Sequence, residues 1–258
     1  IGQGIRSSLA QVAAGVLGLP HDHVRVVLGN TALCPYSRYG TADSRGSVVG
    51  GACVLEASRI LRKKIVRLAA HLLEAAEDDV DVADGHCRVR GTPDRGLAVA
   101  QVAREAYRGQ RLPPGLEPGL EARFTYEPEN WTFASGVHVA AVEVDGEVGT
   151  VRFLGYWIAH DCGVVINPML VDGQIHGGVA QGIGAALREE LVYDEAGQLL
   201  SRTFMEYALP TAADVPAPVL AHLETPSPKT PGGFKGMSEG GTVAPPAAIA
   251  NAVADALA

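Results

Sequence analysis

The sequence predicts an α+β protein folded in two lobes, and three observations carry that expectation. Segments with helical and with strand periodicity are mixed without the regular alternation that builds a parallel sheet. A Pro/Gly-rich stretch, GQRLPPGLEPGLE at 109–121, interrupts the pattern and divides the chain into residues 1–112 and 113–258. The 258 residues are 47% hydrophobic and 19% charged, enough apolar material for a core in each part and too much for a disordered chain.

Each element follows from its local pattern. Ile5, Leu9, Val12, Ala13, Val16 and Leu17 form a helical stripe, ended by Gly18 and Pro20. HVRVVLG at 23–29 reads as a strand, and 48–76 as a long helix. VDVADGHCRVRG at 80–91 reads as a hairpin turning at Asp84-Gly85. A short helix follows at 98–108. GVHVAAVEV and TVRFLGYWIA flank Asp145–Gly149 as a second hairpin, and 169–190 is helical. RTFMEYAL and VLAHLE read as strands, and Pro245 suits the first turn of a last helix.

Composition narrows the function. The net charge of −8, with no basic stripe carrying interleaved aromatics, argues against nucleic acid as a partner. The one basic run, RILRKKIVR at 59–67, reads as a solvated helix face. Cys34, Cys53, Cys87 and Cys162 have no C-x-x-C spacing, so they offer neither a zinc nor an iron–sulfur site and suit a reducing, cytoplasmic compartment. No run of 18 apolar residues is long enough to span a membrane. The chain opens IGQGIRSS without Met, so a targeting segment, if there is one, lies outside it.

Four glycine-bearing segments carry the chemistry. Gly2-Gln3-Gly4 precedes a helix, whose N-terminal amides favour an anion; it is also an ordinary loop-to-helix junction. SRYGTADSRGSVVGG at 37–51 brings the hydroxyls of Thr41, Ser44 and Ser47 and the guanidinium of Arg45; the alternative is a helix capped by Ser44 or Ser47. VVINPMLVDGQIHGGVAQGIGAALREE at 164–190 places Gln174, Gly178 and Gln181 on one helical face, although five glycines cost that helix about 1 kcal/mol each against Ala. A closely approaching partner is therefore needed, either another helix or a flat polar ligand. His160-Asp161-Cys162 just before it reads as a structural turn rather than a metal site, and Asn167-Pro168 as the turn into the helix.

The fourth segment, GGFKGMSEGG at 232–241, offers two readings. GMSEG fits G-x-S-x-G with Ser238 as nucleophile, but that elbow needs an entering strand and a later histidine. Here a Pro/Gly-rich loop enters, and the last histidine, His222, lies upstream. Glu239 instead suits a general base on a glycine loop, or a carboxylate at a helix N-terminus.

In order and approximate spacing, GQG, TADSRGS, INP…GQIHGGVAQGIG…EE and KGMSEGG resemble the molybdenum hydroxylase family. These are the large subunits of xanthine dehydrogenase, aldehyde oxidoreductase and aerobic carbon monoxide dehydrogenase. The resemblance runs the whole chain and corresponds to the C-terminal half of that subunit. It implies a two-lobed molybdenum cofactor-binding domain with mixed sheets and packed helices. It further implies that Gly2, Gln3 and Gly4 hold pterin and phosphate, that Thr41, Asp43, Ser44, Arg45 and Gly46 wrap the pterin, and that Gln181, followed by Gly182, hydrogen-bonds the cofactor. Glu239 corresponds to the catalytic glutamate beside molybdenum. The metal itself is held by the pterin dithiolene, so no protein ligand is needed.

The activity so implied is water-derived hydroxylation of an aldehyde, an N-heterocycle or a similar small substrate, or oxidation of carbon monoxide. Ser44-Arg45 is similar to bacterial members that carry a cytosine dinucleotide form of molybdopterin. The resemblance also implies partners: the N-terminal half of the molybdenum-binding subunit, which selects the substrate, and chains with 2Fe-2S clusters and FAD that carry electrons away. Ser238 stands where the family usually has Gly, which leaves a non-catalytic cofactor-binding or scaffold subunit as the alternative.

Overall fold

The computed structural model describes residues 2–37 and 39–258. Residue 38, within the second glycine-bearing segment, lies outside the described residues. Helix α1 (Ile5–Leu17) packs on the long helix α2 (Ala52–Leu73), which grows out of a wider π-type turn at Gly46–Gly51. A three-stranded antiparallel meander follows, β1 (Val80–Ala83), β2 (His86–Val89) and β3 (Thr92–Ala98). Helix α3 (Val99–Arg108) leaves β3 directly. The first core joins these elements: Leu17, Ile65, Leu68, Val80, Val82, Cys87, Val102 and Ala106 are buried together, and Leu112, Leu116 and Leu120 pack against them.

The second sheet is mixed. Strands β4 (Ser135–Asp145) and β5 (Thr150–Asp161) form a hairpin, and β6 (Val219–Leu223) joins β5 in parallel. Helix α4 (Pro168–Leu187) begins at Asn167, whose side chain accepts from Leu170 N at 3.1 Å, and Pro168 takes the first turn as expected. A four-residue turn of helix, α5 (Gly240–Val243), leads into α6 (Pro245–Leu257). Ile175, Val179, Ile183 and Ile249 meet Tyr156 and Ile158 in the second core. Each such side chain contributes about 1.5–3 kcal/mol by leaving water.

The α+β expectation holds, with two sheets, packed helices and two separate cores. The hairpin at Asp84-Gly85 also holds; both residues have positive φ (49° and 74°), the combination a tight two-residue turn requires. Two strand expectations fail. Residues 24–29 follow a single 3-10 turn (His21–His23) and have no ladder partner among the described residues. Alternation alone cannot make a strand when no edge lies beside it to take its amides. RTFMEYAL forms turns in which the Glu206 carboxylate folds back on Thr203: it accepts from Thr203 N at 3.1 Å and from the Thr203 hydroxyl, and Met205 N donates to Thr203 Oγ1 at 3.2 Å. That is the Thr-x-x-Glu capping pattern, which competes with extended backbone. Strand β3 was hidden by its own composition, TPDRGLA, in which Pro, Asp and Gly are poor strand formers that an edge position tolerates.

Candidate cofactor site

The four glycine-bearing segments pack against one another. Gly4, at the start of α1, lies so close to α4 that a Cβ there would sit 2.6 Å from the methyls of Leu170. Asn167 Nδ2 donates to Gln11 Oε1 at 2.8 Å, tying the cap of α4 to α1. A Cβ on Gly236 would stand 2.8 Å from Ser44 Cβ, which seats the fourth segment on the second. Between the segments lies a cavity of about 50 Å³, lined among others by Gln3, Ser47, Asn167, Gln174, Lys235 and Ser238. Gln3 Oε1 is buried and has no hydrogen-bond partner among the described residues.

Glu239 is exposed at the tip of the fourth segment and meets Ser44 across 195 residues of sequence. Ser44 Oγ donates to Glu239 Oε2 at 2.7 Å and accepts from Glu239 N at 3.1 Å. Asp43 and Ser44 both have left-handed backbone, φ 56° and 54°, which costs non-glycine residues on the order of 1–3 kcal/mol each. Glu74 and Asp84 also have positive φ but stand singly, at a helix end and in a hairpin turn, whereas Asp43 and Ser44 are adjacent.

The stem of the Glu239 loop is anchored in the second core. Asp161 Oδ1 accepts from Gly163 N at 2.9 Å, from Thr225 N at 3.3 Å and from Lys235 Nζ at 3.2 Å. Burial alone raises the Asp161 pKa, but the hydrogen bonds from Thr225, Gly163 and Lys235 outweigh it and hold the carboxyl well below its ordinary value. Lys235 N donates to Cys162 O at 2.9 Å, so the end of β5 clasps the glutamate loop; His160 and Asp161, expected in a turn, are the last two residues of that strand. Burial raises the Cys162 thiol above its usual pKa, and no three His, Cys, Asp or Glu side chains cluster as a metal site among the described residues.

The expected site residues separate into groups. Gln3 reaches the cavity, Gly4 and Gly46 pack beside it, and Ser44 contacts Glu239. Gly46 lies against Ile5 of α1. Gly2 and Asp43 are exposed, Thr41 is half-buried before the turn Ala42–Ser44, and the Arg45 guanidinium stands 5.1 Å from the Tyr39 ring centroid. On α4 it is Gln174 that lines the cavity, while Gln181 stands exposed further along the helix. Gly182 is buried against Pro245, where a Cβ would meet that ring at 2.7 Å. The Asp161–Lys235 pair has no local signal, since the partners are 74 residues apart. Among the described residues Ser238 is bonded to no histidine: His138 pairs with Tyr156, His222 with Asp172, and both His160 nitrogens are without a hydrogen-bond partner there. The hydrolase reading therefore has no geometry behind it.

A family model described as a molybdopterin cofactor-binding domain matches residues 1–216. The chain belongs to that family. This molybdopterin-binding chain is 42% identical over 257 residues to the nicotine 6-hydroxylase large subunit of Paenarthrobacter nicotinovorans, covering 99% of itself and 31% of that protein. Among solved structures it is similar to quinoline 2-oxidoreductase from Pseudomonas putida 86, at 45% identity and a TM-score of 0.90 over 99% of this chain and 32% of that one. Carbon monoxide dehydrogenase from Oligotropha carboxidovorans is also similar, at 37% identity and a TM-score of 0.90, with 99% and 31% covered. The chain thus spans about a third of the length of these relatives. The molybdenum hydroxylase resemblance is borne out, and so is the fold it implied.

The residues present fit the cofactor of this family. An unpartnered buried amide oxygen at Gln3, the amides leading into α1, and a strained loop beside the cavity are what a polar, phosphate-bearing group requires. A cavity of about 50 Å³ is far too small to enclose a pterin, so these residues form one wall rather than a closed pocket.

Proposed function

We propose that this chain forms one wall of the molybdenum site of a hydroxylase, with Glu239 as general base, acting on a small nitrogen-containing aromatic ring. The observation that carries the reading is the Glu239 carboxylate: exposed at its tip, gripped by Ser44, and rooted in a buried stem. Gln3, Gly4 and the 41–46 loop hold the pterin and its phosphate, and Gln174 and Gln181 present amides to it from α4. When bound, the molybdenum–pterin group supplies the oxygen insertion and takes up the electron pair. Ser44 occupies Glu239 Oε2 and fixes its rotamer, so Oε1 is the atom that receives the proton.

The choice of a nitrogen heterocycle rests on the relatives named for quinoline and nicotine, at 45% and 42% identity, against 37% for carbon monoxide dehydrogenase. The remainder of the molybdenum-binding subunit, a 2Fe-2S chain and an FAD chain complete the enzyme, and the cofactor is the cytosine dinucleotide form. The test is Glu239→Gln in the complex purified from its native host, with molybdenum content and turnover of N-heteroaromatic substrates measured together. We expect kcat to fall by about 10²–10⁴-fold with molybdenum retained. Unchanged turnover removes the base assignment. A wild-type complex that is loaded with molybdenum yet inert identifies a scaffold subunit instead, with Ser238 as the first residue to suspect.

A further inference from the structure

Beneath Glu239 lies a buried imidazole that the proposed reaction does not use. His160, next to last in β5, is 1% exposed, and neither ring nitrogen has a hydrogen-bond partner among the described residues. Two glycines bracket the ring. Gly136 pairs with His160 across the ladder, and a Cβ there would sit 3.3 Å from Cδ2. Gly240, the residue after Glu239, comes closer still: a Cβ there would sit 2.0 Å from Nε2 and 2.8 Å from Cδ2. Gly240 does not have a positive φ, so it is room for the ring, and not backbone conformation, that requires glycine. With Gly136 behind it, the ring has nowhere to retreat.

A second imidazole lies on the same face of the sheet. His138 Nδ1 is 3.1 Å from Tyr156 Oη, and the Gly240 backbone also lies against the His138 ring, so this imidazole borders the same turn. Leaving a buried polar atom unpaired costs about 1–3 kcal/mol, which an apolar side chain at 160 would avoid. Burial foremost, then His222 from β6 and His138 from β4, holds the His160 pKa below its ordinary value, while Asp161 on β5 acts in the opposite direction. The ring is therefore a neutral, rigid body at neutral pH.

We propose that His160 is a positioning residue: wedged between Gly136 and Gly240, its ring is the seat on which the 236–240 turn rests, and so sets where the Glu239 carboxylate stands. This rests on the reading of Glu239 as base, since only a catalytic carboxylate makes its placement matter for turnover. The amides that report the seat are those bonded across the turn, Gly240 N to Met237 O at 3.3 Å and Thr242 N to Glu239 O at 3.0 Å.

The experiment compares Gly240→Ala, His160→Ala and the double variant in the assembled enzyme, reading hydrogen exchange over 237–243, molybdenum content, kcat and KM. A displacement of about 1 Å at a reacting group costs up to about 10²-fold, so Gly240→Ala is expected to lower kcat about 10- to 100-fold. KM should stay within about twofold, because ground-state binding is untouched. Exchange over 237–243 rises in the same variant. His160→Ala removes the seat without a clash and lowers kcat as well. With the ring gone the added methyl has room, so the two losses do not multiply, and the double variant matches His160→Ala within about twofold. Unaltered exchange and kcat in Gly240→Ala, or losses that multiply, overturn the proposal. Should Glu239→Gln keep full turnover, the base reading falls; exchange still decides the seat, for which a non-additive rise is support and an unaltered profile is refutation.

Discussion

Two loops meet at the hydrogen bond between Ser44 and Glu239, and they are held in opposite ways. The loop carrying Glu239 is fixed from below: Lys235 and Asp161, with side chains 13% and 10% exposed, lock its stem, and Phe234 bridges to Gly163. The loop carrying Ser44 has no buried charge pair of this kind among the described residues; its shape is written in the left-handed backbone of Asp43 and Ser44. The hydrogen bond therefore joins a rigid partner to a strained one. The group to which the chemistry is assigned sits on the rigid side, where a misplacement of a fraction of an ångström matters.

The contrast breaks most severely at Asp161. Asp161→Asn leaves Lys235 buried without its counter-charge and is expected to destabilise the protein by about 3 kcal/mol, within the range for removing one partner of a buried pair. For a chain of this size that is a fall in Tm of about 6–12 °C, readable by thermal unfolding at pH 7. The pH dependence has a definite sign. Asp161 has a depressed folded-state pKa, so its contribution is complete above the unfolded value of about 3.9 and is lost as pH falls through the lower folded value. The difference in Tm between wild type and Asp161→Asn should therefore be constant from pH 7 to about pH 5 and shrink below about pH 4.

The strained side is sharpened by a pair of substitutions at Ser44. Ser44→Ala removes both hydrogen bonds to Glu239, each worth about 1 kcal/mol, and keeps the unfavourable φ of 54°. Ser44→Gly removes the same two bonds but fits the left-handed backbone without strain, and it should be more stable than Ser44→Ala by about 1 kcal/mol. Equal stability of the two variants would mean that the backbone at Ser44 is not strained. Both variants free Glu239 and should lower turnover less than Glu239→Gln does.

How far the sequence reached depended on the range of the interactions. Local signals were readable: the stripe of α1, the turn at Asp84-Gly85, the cap at Asn167-Pro168 and the start of α6 at Pro245 all stand where the residues put them. So was the set of four segments, because their glycines and hydroxyls recur in one order. Contacts between distant residues were not. Nothing in AHDCG and GFKGM announces that Asp161 and Lys235 pair, or that His160 fills the space beside Gly240. The strand expected at 23–29 failed for the same reason, since a ladder needs a neighbour that the local pattern cannot supply.

The smallest effect concerns the glycines of α4, whose cost was expected to need a closely approaching partner. The structure divides them. Gly178 and Gly182 have that partner inside the protein: a Cβ at 178 would fall 2.7 Å from the Gly241 backbone, and one at 182 would meet Pro245. Gly177 has none; a Cβ there would have nothing within 4 Å. In a helix interior with free space, Gly177→Ala should stabilise the protein by about 0.5–1 kcal/mol and raise Tm by about 2 °C. Gly177 is also exposed on the helix that carries Gln174 and Gln181. If cofactor approaches this face, the methyl that steadies the helix should lower the molybdenum content of the assembled complex, opposing the gain in Tm. A higher Tm with full molybdenum would confine the cofactor to the Gln3 and Ser44 side of the cavity and leave Gly177 without a ligand to accommodate.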